Sequence, residues 1–272
     1  MKIKYNYIII FLLLLIILWT FFRSFENIES QQKVWAISFG GGGQNFHDAV
    51  NRIHNELTTK INVFNEILKF TDEDLKKDTD FWEKHGNFIE NNRRGYGYWL
   101  WKPYLIMKTM EKMNENDILF YIDSGCEITN DENANNKLIT FIEKCNENEI
   151  LYTSTGQPEK MWNKMDTIDY IGYNEEKTIQ NAATIVIIKK NQKMVEFVNE
   201  WYRISCNYHL IDDTPSILPN DPSFREHRHD QSIFSLLTKK YNMSNEENLI
   251  ETITKETNYV NFAYPILMSR KK

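Results

Sequence analysis

An α/β fold, a mixed sheet flanked by helices, is what this sequence predicts, and three observations predict it. Ile118–Ile122 is an unbroken apolar run, the mark of a strand covered on both faces. Ala182–Ile188 (AATIVII) is rich in β-branched residues, which suit a pleated, packed surface. Between such runs, apolar residues recur at helical spacing, as in Phe46, Ala49, Val50, Ile53 and Leu57. Strands alternating with helices point to an α/β sheet, here one containing both strand directions.

The chain has 272 residues and opens on an uncharged apolar stretch, residues 5–22, YNYIIIFLLLLIILWTFF. About 20 apolar residues cross a hydrocarbon core, so a transmembrane helix is expected here, with aromatic ends at the interface. A cleaved signal peptide is the alternative, but Arg23-Ser-Phe-Glu offers no small-x-small cleavage pattern. The expected organisation is an anchor at 1–22, a short polar stem at 23–32 and one large domain at 33–272. This makes a single-pass membrane protein whose large domain is lumenal or extracytosolic if the anchor is of eukaryotic type. Lys2 and Lys4 before the anchor and Arg23 after it leave the side open.

A net charge of −6 argues against a general nucleic-acid surface. Cys126, Cys145 and Cys206 lack metal-ligand spacing, and an odd count permits at most one internal disulfide.

Within the domain, Lys33–Phe39 reads as the first strand, Gly40–Gly43 as a glycine loop and residues 46–58 as an amphipathic helix. Bare backbone N–H groups in such a loop can approach an anion, although GGGG matches neither nucleotide-binding glycine motif; a flexible turn is the other reading. Ile61–Phe70 reads as a second strand region. Thr71 then caps a helix with acids in its first turn, expected to continue through Phe81 and Trp82. Residues 93–127 form the stretch around which the rest is organised: a polar loop, a helix opening on Pro103, a turn at Asn114–Asp117, and the buried strand ending in Asp123-Ser-Gly. Beyond it come a helix at 133–146, a short strand at Glu149–Thr153, an irregular or partly helical stretch at 154–174, and a helix at 191–206. A three-proline loop at 207–226 follows, of a length that often serves binding. It delivers His227-Arg-His-Asp-Gln, where Asp230 can cap a helix that buries Ile233, Phe234 and Leu237. Tyr259–Leu267 is a last apolar run, a closing strand or a packed tail.

Several residue groups suit chemistry. Asp123 leaves a buried strand where open α/β sheets bind ligands. A carboxylate there can hold a divalent cation whose shell is completed by phosphate and water, or can simply form a turn. Glu127 is a possible second acid. Arg93, Arg94 and Lys102 crowd the start of the Pro103 helix, where cations reinforce the anion-attracting helix end. Tyr96, Tyr98, Trp99 and Trp101 offer flat faces for a base or sugar, or belong to the core. His229 can complete a metal shell or contact a diphosphate, and Asp230 can contact a sugar or act as a base.

The order of a strand with a glycine loop, RGYGYWLWKP, ILFYIDSGCE and HRHDQSIF resembles the nucleotide-diphospho-sugar transferases of the GT-A fold, in particular small membrane-anchored glycosyltransferases. The resemblance covers roughly residues 33–240. It implies a GT-A-like (Rossmann-like) sheet and transfer of a sugar from a nucleotide-sugar donor to a glycan or glycoconjugate acceptor. It also implies Mn²⁺ or Mg²⁺ bound through an Asp-x-Asp motif. Asp123 matches one acid of that motif; its partner position is Gly125 or Tyr121, neither of them acidic. By this resemblance Asp123 and His229 are expected as metal ligands, and Asp230 and Asp123 as catalytic groups. Arg94, Lys102, Tyr98, Trp101, Gly41, Gln180 and Asn181 are expected as donor contacts. An anchored carbohydrate-binding protein without catalysis is the alternative, and a metal-dependent hydrolase built on His227, His229, Asp230 and Asp123 is a third reading.

Overall fold

The computed structural model describes residues 31–129, 132–175, 177–243, 250–251 and 265–271, together with Ile16. Apart from Ile16, the expected anchor at 5–22 lies outside the described residues, as do residues 259–264 of the expected closing run. Among the described residues, no helix is long and apolar enough to cross a membrane. The chain divides into two compact units, Met1–Gln32 and Lys33–Lys272, and the elements below belong to the second.

Its main sheet has five strands. β1 (Val34–Gly40) is followed by helix α1 (Gln44–Lys60), β2 (Glu66–Thr71), α2 (Asp72–Lys77), α3 (Thr79–Asn91) and α4 (Trp101–Met110). Then come β3 (Ile118–Ile122), the short β4 (Glu127–Ile128), α5 (Glu132–Asn148), β5 (Ile150–Pro158), α6 (Met165–Ile171), β6 (Ile179–Lys189), α7 (Gln192–Ser205) and α8 (Asp230–Lys240). The strand order is β2-β1-β3-β6-β5. β1 runs parallel to β2 and β3, whereas β6 is antiparallel to both β3 and β5. This is a mixed α/β sheet flanked by helices. A second small sheet joins β4 to β8 (Ile266–Leu267) and β8 to β7 (Ile250–Glu251).

Alternation along the strands builds two cores, one on each face. Ile37, Phe39, Leu119, Tyr121, Val186 and Ile188 pack with Leu105 of α4, Trp201 of α7 and Phe234 of α8. Ala36, Ile118, Phe120, Ile185 and Ile187 pack with Val50, Ile53 and Leu57 of α1 and with Leu138 and Phe141 of α5. Strand β3 is buried at every position, which is why its sequence shows no polar alternation.

Several elements differ from their sequence expectation. β2 begins only at Glu66, where the Val34 N–H at the start of β1 is taken by the Asn65 side-chain oxygen at 2.7 Å instead of by a backbone carbonyl of the preceding residues. Thr71 does cap α2 in a capping box with Asp74, but the helix stops at Asp78 rather than reaching Trp82. Asp78 is extended and accepts from the N–H of Phe81, so it starts a new helix. β5 runs on to Pro158, because Ser154 and Pro158 still pair with β6 through register shifts. Asp230 does not cap α8: His229 occupies the cap position and Asp230 is the first helical residue, its side chain turned to a lysine.

Candidate active site

The topology gathers the polar residues at one edge of the sheet. β1 and β3 are parallel, so Gly41 and Asp123 emerge side by side beyond their carboxyl ends. β6 is antiparallel, so its beginning, Gln180 to Thr184, lies at that same edge; the Asp123 N–H donates to the Thr184 carbonyl at 2.9 Å. The N-terminal ends of α4 and α8 deliver Lys102 and Asp230. Together they line a cleft of about 790 Å³.

Lys102 is the centre of this site. Its side chain is buried, with Nζ 3.3 Å from Asp123 Oδ1, 2.9 Å from Asp230 Oδ2 and 3.1 Å from the Ala183 carbonyl. The contact with Asp230 is an ion pair at close range rather than a well-directed hydrogen bond. Burial works against the ammonium, but the carboxylates of Asp123 and Asp230 outweigh it and raise the Lys102 pKa. Burial pushes Asp230 up to about 6, against the pull of Lys102. Asp123 is a third exposed, and its Oδ1 also accepts from the Tyr121 hydroxyl at 2.6 Å. Burial and the Asp123 charge hold the Tyr121 phenol well above its usual pKa, so it is a donor.

His229 is held differently. Its Nδ1 lies 2.8 Å from the Ile211 carbonyl, which can only accept, so Nδ1 carries the proton. Nε2 then bears a lone pair; it is buried without a hydrogen-bond partner among the described residues, 3.7 Å from Asp213. Burial lowers the His229 pKa to about 4, so the ring is neutral at pH 7. Its backbone is strained, with φ 56° and ψ −123°. The ring stacks on Trp99 at a centroid distance of 5.4 Å.

Trp99 ends an unusual turn. Five consecutive residues, Gly95 to Trp99, have positive φ. L-residues visit this region singly rather than in runs. Two glycines lower the cost, and the indole of Trp101 donates to the Gly95 carbonyl at 3.0 Å. The turn wraps the aromatic stretch around the edge of the cleft.

The loop at 207–226 is pinned rather than loose. The Lys164 ammonium, buried, reaches Asp212 at 3.0 Å, the Thr214 carbonyl at 3.0 Å and the His209 carbonyl. Asp166 accepts from the N–H groups of Ile217 at 2.7 Å and Leu218 at 2.8 Å, and from His209 at 2.6 Å. Although burial opposes it, these hydrogen bonds bring the Asp166 pKa down to about 2. His227 has both ring nitrogens engaged, Nδ1 by the Lys164 N–H at 3.2 Å and Nε2 by the Leu210 carbonyl at 2.9 Å.

Of the residues singled out in the sequence, Gly41, Arg94, Trp101, Lys102, Asp123, Gln180, His229 and Asp230 all line the cleft. Tyr98 and Asn181 do not. Tyr98 is buried against His229 and Phe88, and the Asn181 amide turns to Thr238 on α8, as strand alternation requires beside Gln180. The Arg94 guanidinium is engaged by Asp213, at 3.0 and 3.1 Å, and by Glu226, so its charge is already matched. The sequence reading took Tyr121 only as a non-acidic motif position and missed its hydroxyl as a donor to Asp123, two residues on and hence on the same side of the strand. It also missed Arg228, whose guanidinium sits 4.1 Å over the Trp162 ring, and Met268 and Arg270, which reach the cleft from the far end of the chain. No local pattern marks the last two.

No family model and no curated protein matches the sequence. Among solved structures, mouse xyloside xylosyltransferase 1 in its apo form is similar over 87% of this chain and 97% of its own, with 7% identity and a TM-score of 0.47. The apo structure of the bifunctional glycosyltransferase WbbM is similar over 89% of this chain, with 12% identity and a TM-score of 0.48; this chain covers 46% of it. The galactosyltransferase LgtC, solved in complex with donor and acceptor sugar analogs, is similar over 86% of each chain, with 9% identity and a TM-score of 0.43.

Proposed function

We propose that the chain is a glycosyltransferase that moves a sugar from a nucleotide-sugar donor to a glycan or glycoconjugate acceptor. The observation that carries this reading is the buried Lys102 held between Asp123 and Asp230 on the floor of a cleft rimmed by arginines and aromatic rings. An inverting group transfer from a diphosphate is served by a carboxylate base, a cationic environment for the leaving group and flat faces for sugar or base. The cleft offers all three.

In this reading Asp230 is the base. The acceptor hydroxyl oxygen bonds to the anomeric carbon while its proton passes to Asp230. The bond from that carbon to the phosphate oxygen breaks, and its electron pair leaves with the nucleoside diphosphate. Lys102 keeps Asp230 ionised near neutral pH despite its burial. This course inverts the anomeric centre, because the base activates the acceptor directly.

A divalent ion, Mn²⁺ or Mg²⁺, would use Asp123 and His229, with phosphate and water completing its shell and lowering the charge of the diphosphate. The residues present fit such an ion poorly. Among the described residues, no group of three or more His, Cys, Asp or Glu converges as a metal cage. Asp123 already shares Oδ1 with a tyrosine hydroxyl and a lysine ammonium. No step above is therefore routed through a metal. The hydrolase reading loses His227, whose ring is fully engaged. We further propose that residues 5–22 anchor the domain in a membrane as a single pass.

The test is the melting temperature of the full chain in detergent with UDP, GDP, ADP or CMP, each with and without Mn²⁺, followed by transfer assays with the matching nucleotide sugars. A hundredfold excess over Kd stabilises by about 2.7 kcal/mol. Stabilisation by one nucleotide, with release of that nucleotide from its sugar conjugate, supports the reading. A folded chain that responds to none, yet binds glycans, is a carbohydrate-binding protein instead.

A further inference from the structure

We propose that Arg270 binds the donor diphosphate and supplies the positive charge for the leaving group at the place where an Asp-x-Asp motif would put its second carboxylate. The proposal rests on the glycosyl-transfer reading above and deepens it.

Three observations on the segment 265–271 carry it. The first is its position beside Gly125, two residues after Asp123. Among the described residues, a Cβ added at Gly125 would meet only the Arg270 backbone, with Cα at 3.5 Å and the carbonyl carbon at 3.9 Å. A side chain at the second motif position would therefore start against the Arg270 backbone, and the chain has a glycine there instead.

The second observation is that the segment is clamped to the Asp123 turn. The Lys271 N–H donates to the Gly125 carbonyl at 3.1 Å, and Ser269 Oγ to the same oxygen at 3.3 Å. Arg52 fastens both segments at once, donating to the carbonyls of Cys126 at 2.9 Å, Ser124 at 2.9 Å and Lys271 at 3.1 Å. Strand β8 pairs with β4 just before, and Lys271 Nζ reaches Glu127 at 2.7 Å. These bonds hold a residue over 140 positions away in sequence at a set place beside the strand-end acid.

The third is the state of the arginine itself. Arg270 has a positive φ of 54°, is exposed and lines the cleft. Among the described residues no carboxylate pairs with it, in contrast to Arg94 with Asp213 and Glu226, or Lys102 with Asp123 and Asp230. An uncompensated guanidinium on a braced backbone suits an anion from solution, and its planar fork matches two phosphate oxygens. Charge that grows on the diphosphate as the glycosidic bond breaks would fall beside it.

Isothermal titration of the full chain in detergent with EDTA decides the matter, using the nucleoside diphosphate identified by melting and the corresponding monophosphate. Wild type is expected to bind the diphosphate without metal. Arg270→Gln should weaken the diphosphate by about 10- to 100-fold and the monophosphate by much less, as expected for loss of a charge-assisted contact. Arg270→Lys should recover part of the loss. Gly125→Asp leaves Arg270 in place but gives it a carboxylate partner. Its diphosphate affinity should drop in EDTA and return with Mn²⁺. Equal diphosphate affinity in wild type and Arg270→Gln overturns the inference, and so does wild-type binding that appears only with Mn²⁺; both leave the transferase reading standing. A wild type that binds no nucleotide under any of these conditions overturns both.

Discussion

The Lys102 ammonium lies 2.9 Å from the Asp230 carboxylate, and both side chains are buried. An isolated charge at such depth would neutralise; here each holds the other ionised, with Asp123 as the second anion. The arrangement joins the start of α4, the start of α8 and the end of β3, so the chemistry of the cleft depends on one ion cluster.

The first prediction is a pH profile. As the proposed base, Asp230 must be ionised to accept a proton, and burial raises its pKa to about 6. The kcat/KM for transfer should fall as pH drops through about 6. Asp230→Asn should remove this limb and lower kcat by about 10²–10⁴. An Asp230→Asn variant with an unaltered profile would remove the base assignment. The sign for stability is the reverse of that for a salt-bridged surface acid. Because the folded pKa lies above the ordinary value of 3.8, this group's contribution to stability decreases as pH rises from about 4 to 6.

The second concerns Lys102. Lys102→Met leaves two carboxylates facing each other with no cation between them. Removing one partner of a buried pair costs about 3–5 kcal/mol, and denaturant unfolding should show a loss of that order. Whatever activity survives should have its acid limb displaced above pH 6, since the charge that held Asp230 down is gone. An unchanged limb would show that Lys102 does not govern Asp230.

A third prediction tests the left-handed turn. A Cβ at Gly95 would stand 2.2 Å from the Trp99 ring, on a backbone with φ +55°. Gly95→Ala should therefore displace Trp99 from its stack on His229. Destabilisation of about 1–3 kcal/mol is expected, together with weaker substrate binding. The near-ultraviolet circular dichroism of the indole reports the displacement directly; a variant with wild-type spectrum and KM would disconnect the turn from the site.

The fourth concerns the pinned loop. Asp166→Asn loses the charge that accepts the N–H groups of Ile217 and Leu218. Limited proteolysis should then cut within 212–222 at a rate well above wild type. The Asp166 pKa is depressed to about 2, so its stabilisation is complete above about pH 4 and is lost as pH falls through 2. Wild type should accordingly become cleavable in this loop by an acid-active protease as pH approaches 2, and Asp166→Asn should lack that transition.

The sequence by itself determined the architecture and much of the floor of the cleft. The apolar run Ile118–Ile122 had to be a central strand, since only burial on both faces suits five consecutive apolar residues, and Asp123 had to emerge at its end. Periodicity placed α1, α5 and α7 to within a few residues. Local rules also identified Lys102, His229 and Asp230 as residues worth following, because short polar motifs at element ends are positioned by the elements next to them. Helix breaks were harder to read. Asp78 both ends α2 and starts α3, and composition alone cannot tell a cap inside an acidic stretch from a solvated helix face.

Only the tertiary structure decided which charges are spent and which are available. Arg94, Lys102 and Arg270 are alike in sequence as cations, yet the first is matched by Asp213 and Glu226, the second is buried between two acids, and the third faces the cleft without a carboxylate partner among the described residues. Coulomb interactions depend on distance and burial, and those distances are set by contacts between residues far apart in the chain, such as Arg52 with Lys271. Strand alternation likewise turned Gln180 toward the cleft and its neighbour Asn181 away, a choice that depends on the register of β6 against β5 and β3. The position of an element follows from its local pattern, whereas the chemistry of a site follows from long-range pairings that no local pattern encodes.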